Sequence, residues 1–319
     1  MDFFEAGGDS LSALRLIGRL SQGHSAAIVG GDLFLHSTPR RLAARLRELQ
    51  IGRAAPAEGR NLRLLREGTG APIVFVHPIG GQILPYARLA RHLDVGEPVY
   101  GLQPSSRDAS YGSLSERCAA YAEELKALSG GPFHLGGYSL GGALAMELAA
   151  QLRRDGHDVR WVFLIDAWVP QAPLTGVAKL RHRISELRRF TSTERWMWVR
   201  AQLVRLTRGE PEEDLLEGAP LIDANLMREL GEQALRWSPP CYPGNVLLFR
   251  AEMDLRGYSN LPSALGWDAY CPRLEVRPVP GNHSDIVAEP TVIHIAREME
   301  RRMRSAEIAA GQGSRALLK

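Results

Sequence analysis

Between Leu62 and Val279 the chain alternates short apolar runs with longer amphipathic stretches. The runs Ile73–Val76 and Val162–Ile165 contain no polar residue, which is typical of strands covered on both faces. Strands are predicted at Leu62–Arg66, Pro72–Val76, Pro98–Leu102, Pro132–Gly136, Arg160–Ile165, Asn245–Arg250 and Leu274–Val279. Because segments with helical spacing lie between them, the pattern predicts a mainly parallel α/β sheet.

Helices are predicted between these strands. One begins at Ser113, where Glu116 three residues later completes a capping box, and its buried positions are Leu114, Cys118 and Tyr121. A second runs from Leu140 to about Asp155, and a last one carries apolar residues from Val292 to Met303. Residues from about 170 to 240 break the alternation and look helical, so we expect an inserted helical lid over the site.

The first 50 residues predict a separate, small helical unit. A helix opens at Thr38 with Pro39 in its first turn, and Leu42, Leu46 and Leu49 mark its buried stripe. Because about fifty residues form a meagre core, we expect a truncated domain whose first helix is missing. Residues 51–60, rich in alanine, proline and glycine, predict a linker, residues 61–306 the main domain, and residues 307–319 a tail.

Composition narrows the class of protein. Apolar residues make up 45% and charged residues 24%, as in ordinary globular proteins, and a net charge of +3 does not suggest nucleic acid. We expect no membrane span and no secretion, because no long apolar window and no leader are visible. Three cysteines without CxxC spacing indicate a reduced, cytoplasmic protein without a metal site. A monomer is the default expectation.

A GxSxG pattern at 137–141 supplies the first candidate chemistry. It follows the apolar strand that ends near Gly136 and opens a helix of small residues, which is the strand–turn–helix context of a nucleophile elbow. In so tight a turn, side chains at Gly137 and Gly141 would collide with neighbouring backbone, whereas Ser139 is exposed. The pattern therefore predicts Ser139 as the nucleophile of a hydrolase.

A serine hydroxyl needs a base and a carboxylate that orients the base. His283 lies in a turn between the last strand and the last helix, at the carboxyl edge of the sheet, and is the predicted base. His77, which ends an early strand, is expected to shape the oxyanion loop instead. Asp166 and Asp254 both follow strands and both preserve the order serine, acid, histidine, so spacing leaves the two open.

Two backbone N–H groups should stabilise the oxyanion. Leu140, directly after the nucleophile, is expected to supply one. The loop of residues 77–81 (HPIGG) should supply the other, because its glycines let the backbone approach a substrate. Ile79 is the predicted donor.

A second serine motif lies at residues 7–11 (GGDSL), where Ser10 precedes helical spacing. A serine at a helix N-terminus suits a phosphodiester, because unpaired N–H groups face it. The alternative is that Ser10 is only a helix N-cap. Phe3 and Phe4 upstream and the pattern at 39–49 make the segment similar to the attachment site of a peptidyl carrier domain, which implies 4′-phosphopantetheine on Ser10.

Residues 60–306 resemble the type I thioesterase domain of nonribosomal peptide synthetases. The resemblance rests on VHPIGG at 76–81, YGLQ at 100–103, GGYSLGG at 136–142, LID at 164–166 and GNH at 281–283. It implies an α/β-hydrolase fold with a lid and favours Asp166 as the acid. It also implies upstream synthetase modules and a phosphopantetheinyl transferase as partners.

The implied activity is release of a carrier-bound peptidyl or acyl chain. The chain would pass from a thioester to Ser139 and then leave by hydrolysis or macrocyclisation. The alternative function is that of a free-standing serine esterase or lipase, in which the carrier motif is accidental.

Overall fold

The structure is a computed structural model. It describes residues 36–50, 61–105, 111–170, 224–252, 263–283 and 285–316, together with residues 3, 16, 19, 20 and 33. Ser10, residues 171–223 of the predicted lid and the competing Asp254 lie outside the described residues.

One seven-stranded sheet forms the centre of the domain. Its strands are β1 (Leu62–Arg66), β2 (Ile73–Val76), β3 (Val99–Leu102), β4 (Phe133–Tyr138), β5 (Val159–Ile165), β6 (Asn245–Ala251) and β7 (Leu274–Val279). Their order across the sheet is β1-β3-β2-β4-β5-β6-β7. All neighbours are parallel except β1, which pairs with β3 in the antiparallel sense. The predicted α/β-hydrolase fold with a mainly parallel sheet is confirmed.

Helices cover both faces of the sheet. The described helices are α1 (Pro39–Gln50), α2 (Leu84–His92), α3 (Leu114–Leu128), α4 (Leu140–Arg154), α5 (Ala224–Arg236) and α6 (Thr291–Ala316), with a 3₁₀ turn at Trp267–Ala269. Buried residues of α3, α4 and α5 share one apolar cluster with one face of the sheet. Residues of α2 and α6 share a second cluster with the other face. This three-layer arrangement leaves the strand ends free to carry a site.

The predicted start of α3 agrees with the structure. Ser113 Oγ accepts a hydrogen bond from the Glu116 N–H at 3.2 Å, and the predicted positions Leu114, Cys118 and Tyr121 are buried. The Glu116 carboxylate accepts from the Gly112 N–H, one residue before the position a capping box uses. Helix α6 continues past residue 306 to Ala316, into the segment predicted as a tail. Within the described residues, no helix combines the length and the apolar character needed to cross a bilayer.

In the first 50 residues, α1 begins where the proline pattern predicts. Leu42 and Leu46 of its predicted stripe are buried, and the Leu42 N–H donates to the Thr38 carbonyl at 2.9 Å. An apolar groove lies between this helix and Phe3, Leu16, Leu20 and Leu33.

Strand β4 carries a buried histidine with a testable consequence. His134 is 1% exposed, and neither ring nitrogen has a hydrogen-bond partner among the described residues. Burial, with a smaller contribution from the positive charge of Arg160, lowers the pKa of His134 from 6.5 to about 3. Below pH 6.5 this imidazole is therefore protonated in the unfolded chain, whereas it stays neutral in the folded chain.

We expect His134 to make the fold acid-sensitive. Its contribution to the free energy of unfolding is complete above pH 6.5 and falls by about 2 kcal/mol between pH 6.5 and pH 5. A His134→Leu variant should lose correspondingly less stability over that interval. Urea unfolding followed by tryptophan fluorescence measures the free energy of unfolding of the domain that contains His134, because all six tryptophans lie in that domain, beyond residue 160. His294→Leu, at an exposed position, is the control; parallel curves for wild type and His134→Leu would contradict the prediction.

Candidate active site

Four segments with predicted functional residues meet at the carboxyl edge of the sheet. Ser139 directly follows β4, Asp166 directly follows β5, and His283 lies in the turn after β7. The HPIGG loop follows β2, which pairs with β4. Parallel strands bring their carboxyl ends to one edge, which is where open α/β sheets place ligand chemistry.

Ser139 occupies a strained turn between β4 and α4. Its backbone has φ 57° and ψ −127°, a left-handed conformation that side-chain-bearing residues rarely adopt. A Cβ at Gly137 would lie 2.0 Å from the Gly141 carbonyl oxygen, and one at Gly141 would lie 2.3 Å from the Val76 carbonyl oxygen. Glycine is therefore required at both positions of the GxSxG pattern, as the sequence predicts.

The three side chains of the predicted triad form a continuous hydrogen-bonded chain. His283 Nδ1 lies 2.8 Å from Asp166 Oδ2, and His283 Nε2 lies 3.2 Å from Ser139 Oγ. The second carboxylate oxygen, Asp166 Oδ1, accepts from the Ala251 N–H at 3.0 Å. With the Nδ1 proton donated to the carboxylate, Nε2 of the neutral ring is left to accept the serine proton.

Asp166 itself is held firmly. Its backbone lies at φ 43°, its N–H donates to the Phe249 carbonyl at 2.7 Å, and the residue is 8% exposed. Strand β6 thus positions both the main chain and the side chain of Asp166. These contacts favour Asp166 as the acid, a choice that strand spacing alone left open.

Two aromatic residues enclose the His283 ring. The ring centroids of Tyr138 and Trp168 lie 4.8 Å and 4.9 Å from that of the imidazole. The Tyr138 hydroxyl also donates to the His283 carbonyl at 2.8 Å. The sequence indicated no role for either residue, although both lie close to predicted site residues along the chain: Tyr138 precedes the serine and Trp168 follows Asp166 by two positions. They limit the rotation of the imidazole.

The two predicted oxyanion donors lie in two segments, the start of α4 and the loop after β2. Leu140 begins α4, so its N–H is one of the first four that have no partner within a helix. In the HPIGG loop, the Gly81 N–H donates to the Pro78 carbonyl at 2.9 Å, which closes a β-turn with Ile79 at its second position. Among the described residues, no hydrogen bond uses the Ile79 N–H.

Helix α5, the described end of the predicted lid, packs on this loop. A Cβ at Gly231 would lie 3.8 Å from Ile79 Cδ1, and a Cβ at Gly81 would lie 3.2 Å from Leu226 Cδ2. The Glu229 carboxylate pairs at 2.9 Å with the fully buried guanidinium of Arg117 on α3. Helix α5 is thus anchored to the body beside a predicted oxyanion donor.

Comparisons with known proteins identify two regions of the chain. The phosphopantetheine attachment site model matches residues 1–46, and the thioesterase domain model matches residues 71–226. Enterobactin synthase component F of Escherichia coli (strain K12) is 28% identical over 294 residues, which are 91% of this chain and 22% of that synthase. This chain thus spans less than a quarter of that relative's length.

Solved structures of a nonribosomal peptide synthetase and of a thioesterase domain are also similar to this chain. A holo four-domain nonribosomal peptide synthetase bound to AMP and glycine aligns with a TM-score of 0.62 and 25% identity, over 94% of this chain and 24% of that chain. The NocB thioesterase domain, in covalent complex with a fluorophosphonate nocardicin G analogue, aligns with a TM-score of 0.56 and 27% identity, over 76% of this chain and 99% of that chain. The chain therefore carries a phosphopantetheine attachment site followed by a thioesterase domain, and it is homologous to nonribosomal peptide synthetase chains that contain a thioesterase domain.

Proposed function

We propose that this chain releases a carrier-bound peptidyl or acyl chain through a covalent intermediate on Ser139. The observation that carries the proposal is the hydrogen-bonded series Ser139, His283 and Asp166 in a thioesterase-family domain. The preceding attachment-site domain supports delivery of the substrate within the same chain.

In the first half of the reaction, Ser139 Oγ attacks the thioester carbonyl while His283 Nε2 takes the hydroxyl proton. Asp166 stabilises the imidazolium, and the N–H groups of Ile79 and Leu140 stabilise the negative oxygen. The tetrahedral intermediate collapses with loss of the thiolate, which receives the proton from His283. An ester on Ser139 and a free thiol result.

The second half reverses these roles. His283 removes a proton from the incoming nucleophile, which attacks the ester carbonyl, and then returns that proton to Ser139 Oγ. Water as nucleophile gives a free acid, whereas a hydroxyl or amine of the bound chain gives a lactone or lactam. The aromatic enclosure of His283 restricts the imidazole to one position in both halves.

Synthetic thioesters of graded length test this function. We expect turnover that favours thioesters over the matched oxygen esters, with products identified by mass, where a cyclic product is lighter than the acid by one water. Preference for oxygen esters at every length would support the free-standing esterase instead.

We further propose Ser10 as the acceptor of 4′-phosphopantetheine, because the attachment-site match spans it. The bound group supplies a thiol on a flexible arm, to which the acyl chain is attached as a thioester. Incubation with a phosphopantetheinyl transferase and coenzyme A should add one phosphopantetheine mass to the wild-type chain.

The Ser10→Ala variant should gain no mass in that incubation, whereas Ser139→Ala should be loaded like wild type. Loading of Ser10→Ala would contradict the assignment of Ser10. Failure of the wild-type chain to load would contradict carrier function.

A further inference from the structure

His77 is a fully buried histidine that the proposed reaction does not use as a base. Its Nδ1 lies 2.8 Å from the Pro78 carbonyl oxygen, and its Nε2 lies 3.0 Å from the Tyr121 hydroxyl on α3. A carbonyl oxygen only accepts, so Nδ1 must carry the proton; Nε2 of the neutral ring then accepts from Tyr121. The two contacts select one tautomer and one ring orientation.

The Pro78 carbonyl oxygen is held from two sides, since the Gly81 N–H also donates to it at 2.9 Å. A trans peptide is planar, and its C=O and N–H point in opposite directions. Fixing the Pro78 carbonyl therefore fixes the direction of the Ile79 N–H, which belongs to the same peptide unit.

The loop that carries this peptide lies against the turn at Ser139. A Cβ at Gly141 would lie 2.3 Å from the Val76 carbonyl oxygen and 2.9 Å from the His77 carbonyl oxygen. The His77 N–H also donates to the Leu102 carbonyl at 3.0 Å, which ties the start of the loop to β3. A change in the orientation of the His77 ring would thus act on the Pro78–Ile79 peptide, in a loop whose first residues pack against the nucleophile elbow.

We propose that Tyr121 and His77 are positioning residues, which orient the Ile79 N–H toward the oxyanion through the Pro78 carbonyl. The kinetic part of this inference rests on the proposed thioester release, in which Ile79 is an oxyanion donor. Tyr121 acts from α3 and contacts no reacting atom.

The first test replaces Tyr121 by phenylalanine, which removes one hydroxyl and keeps the ring. Loss of a whole oxyanion donor lowers kcat by about 10²–10³-fold, so a misdirected donor should lower it by at least about tenfold, with KM within about twofold of wild type. The acidic limb of the pH profile should not move, because the contacts of His283 are unchanged. Tyr242→Phe, in a fully buried tyrosine before β6 at the opposite edge of the sheet, is the matched control.

Two substitutions of His77 distinguish the roles of its two ring nitrogens. Asparagine can place an amide N–H near the Nδ1 position and donate to Pro78, whereas glutamine places its amide near Nε2, toward Tyr121. We expect His77→Asn to keep a kcat at least about tenfold above that of His77→Gln. Equal kcat values for these two variants, or for Tyr121→Phe and Tyr242→Phe, would overturn the proposal.

A measurement without substrate tests the hydrogen bonds themselves. In ¹⁵N-histidine spectra, the His77 signal, assigned by its loss in His77→Asn, should show the proton on Nδ1, and Tyr121→Phe should shift the Nε2 resonance. A proton on Nε2 in the wild type would overturn the proposal. If the wild type turned over no thioester, the release function would fail while this spectrum still decided the arrangement of His77.

Discussion

Replacement of Ser139 by alanine is expected to lower kcat for acyl thioesters by about 10⁶-fold, the loss typical of removing a triad nucleophile. The Oγ atom is the group that lies 3.2 Å from His283 Nε2, and alanine offers no atom to form the ester. The fold should survive, because alanine and serine meet a similar penalty at φ 57°. Thioester turnover, together with the urea midpoint, measures both effects.

A fluorophosphonate probe provides a second readout for Ser139. Such probes form a covalent bond with an activated serine, so the wild type should be labelled and Ser139→Ala should not. Ser305→Ala, at an exposed serine of α6, should be labelled like wild type. Turnover by Ser139→Ala within tenfold of wild type would rule out Ser139 as the nucleophile.

Much of the sheet could be predicted because its strands differ sharply in character from their surroundings. Runs such as Ile73–Val76 are wholly buried in the structure and lie between turn-forming residues, so their ends are visible in the sequence. The antiparallel pairing of β1 was not predictable, since strand order and direction depend on contacts across the whole sheet. The end of helix α6 at Ala316 was not predictable from its apolar stretch either, because the length of a helix depends on more than its buried face.

The candidate site divides in a similar way. Ser139 could be predicted because an elbow demands small residues at short range, and Gly137 and Gly141 meet that demand. His283 lies 144 residues from Ser139, and it was indicated by its place in the turn after the last strand and by the GNH motif of that turn. Spacing could not choose between two aspartates, because the choice depends on which strand end faces the imidazole.

No feature of the sequence marked the residues that support the site from other elements. Tyr121 lies at a buried helical position that looks like ordinary core, and only its 3.0 Å contact with His77 distinguishes it. Tyr86 is similar: its buried hydroxyl donates to the Val76 carbonyl at 2.6 Å and accepts from the Tyr138 N–H at 2.8 Å, which joins the ends of β2 and β4. Burial raises the pKa of that hydroxyl far above its usual value, so it stays protonated and keeps this bridge. Such roles depend on packing between elements distant in sequence.

Replacement of Asp166 by asparagine is expected to lower kcat by about 10⁴-fold while KM changes little. Asparagine matches the shape of aspartate, but one of its two terminal groups is an NH₂, which cannot accept a hydrogen bond. Asp166 accepts the Ala251 N–H with one oxygen and the His283 Nδ1 proton with the other, so asparagine can keep only one of these two hydrogen bonds. If the NH₂ group faces His283, the ring must present its lone pair at Nδ1 and its proton at Nε2. In that tautomer the imidazole cannot accept the proton of Ser139, and with either orientation the imidazolium loses its negative partner.

Asp254→Asn is the matched control, since this residue was the competing candidate for the acid. With Asp166 already bonded to His283 Nδ1 at 2.8 Å, that ring nitrogen has no second proton to donate, so the Asp254 variant should keep a kcat within about twofold of wild type. Steady-state turnover of the same thioester by both variants, over a range of pH, separates the two assignments. If kcat fell by about 10⁴-fold in Asp254→Asn and stayed close to the wild-type value in Asp166→Asn, the catalytic acid would be the aspartate that follows β6. The contact between Asp166 and His283 would then serve only to hold the turn. Retention of activity by both single variants would instead show that neither carboxylate governs the tautomer, and the imidazole would then have to be oriented by Tyr138 and Trp168 alone.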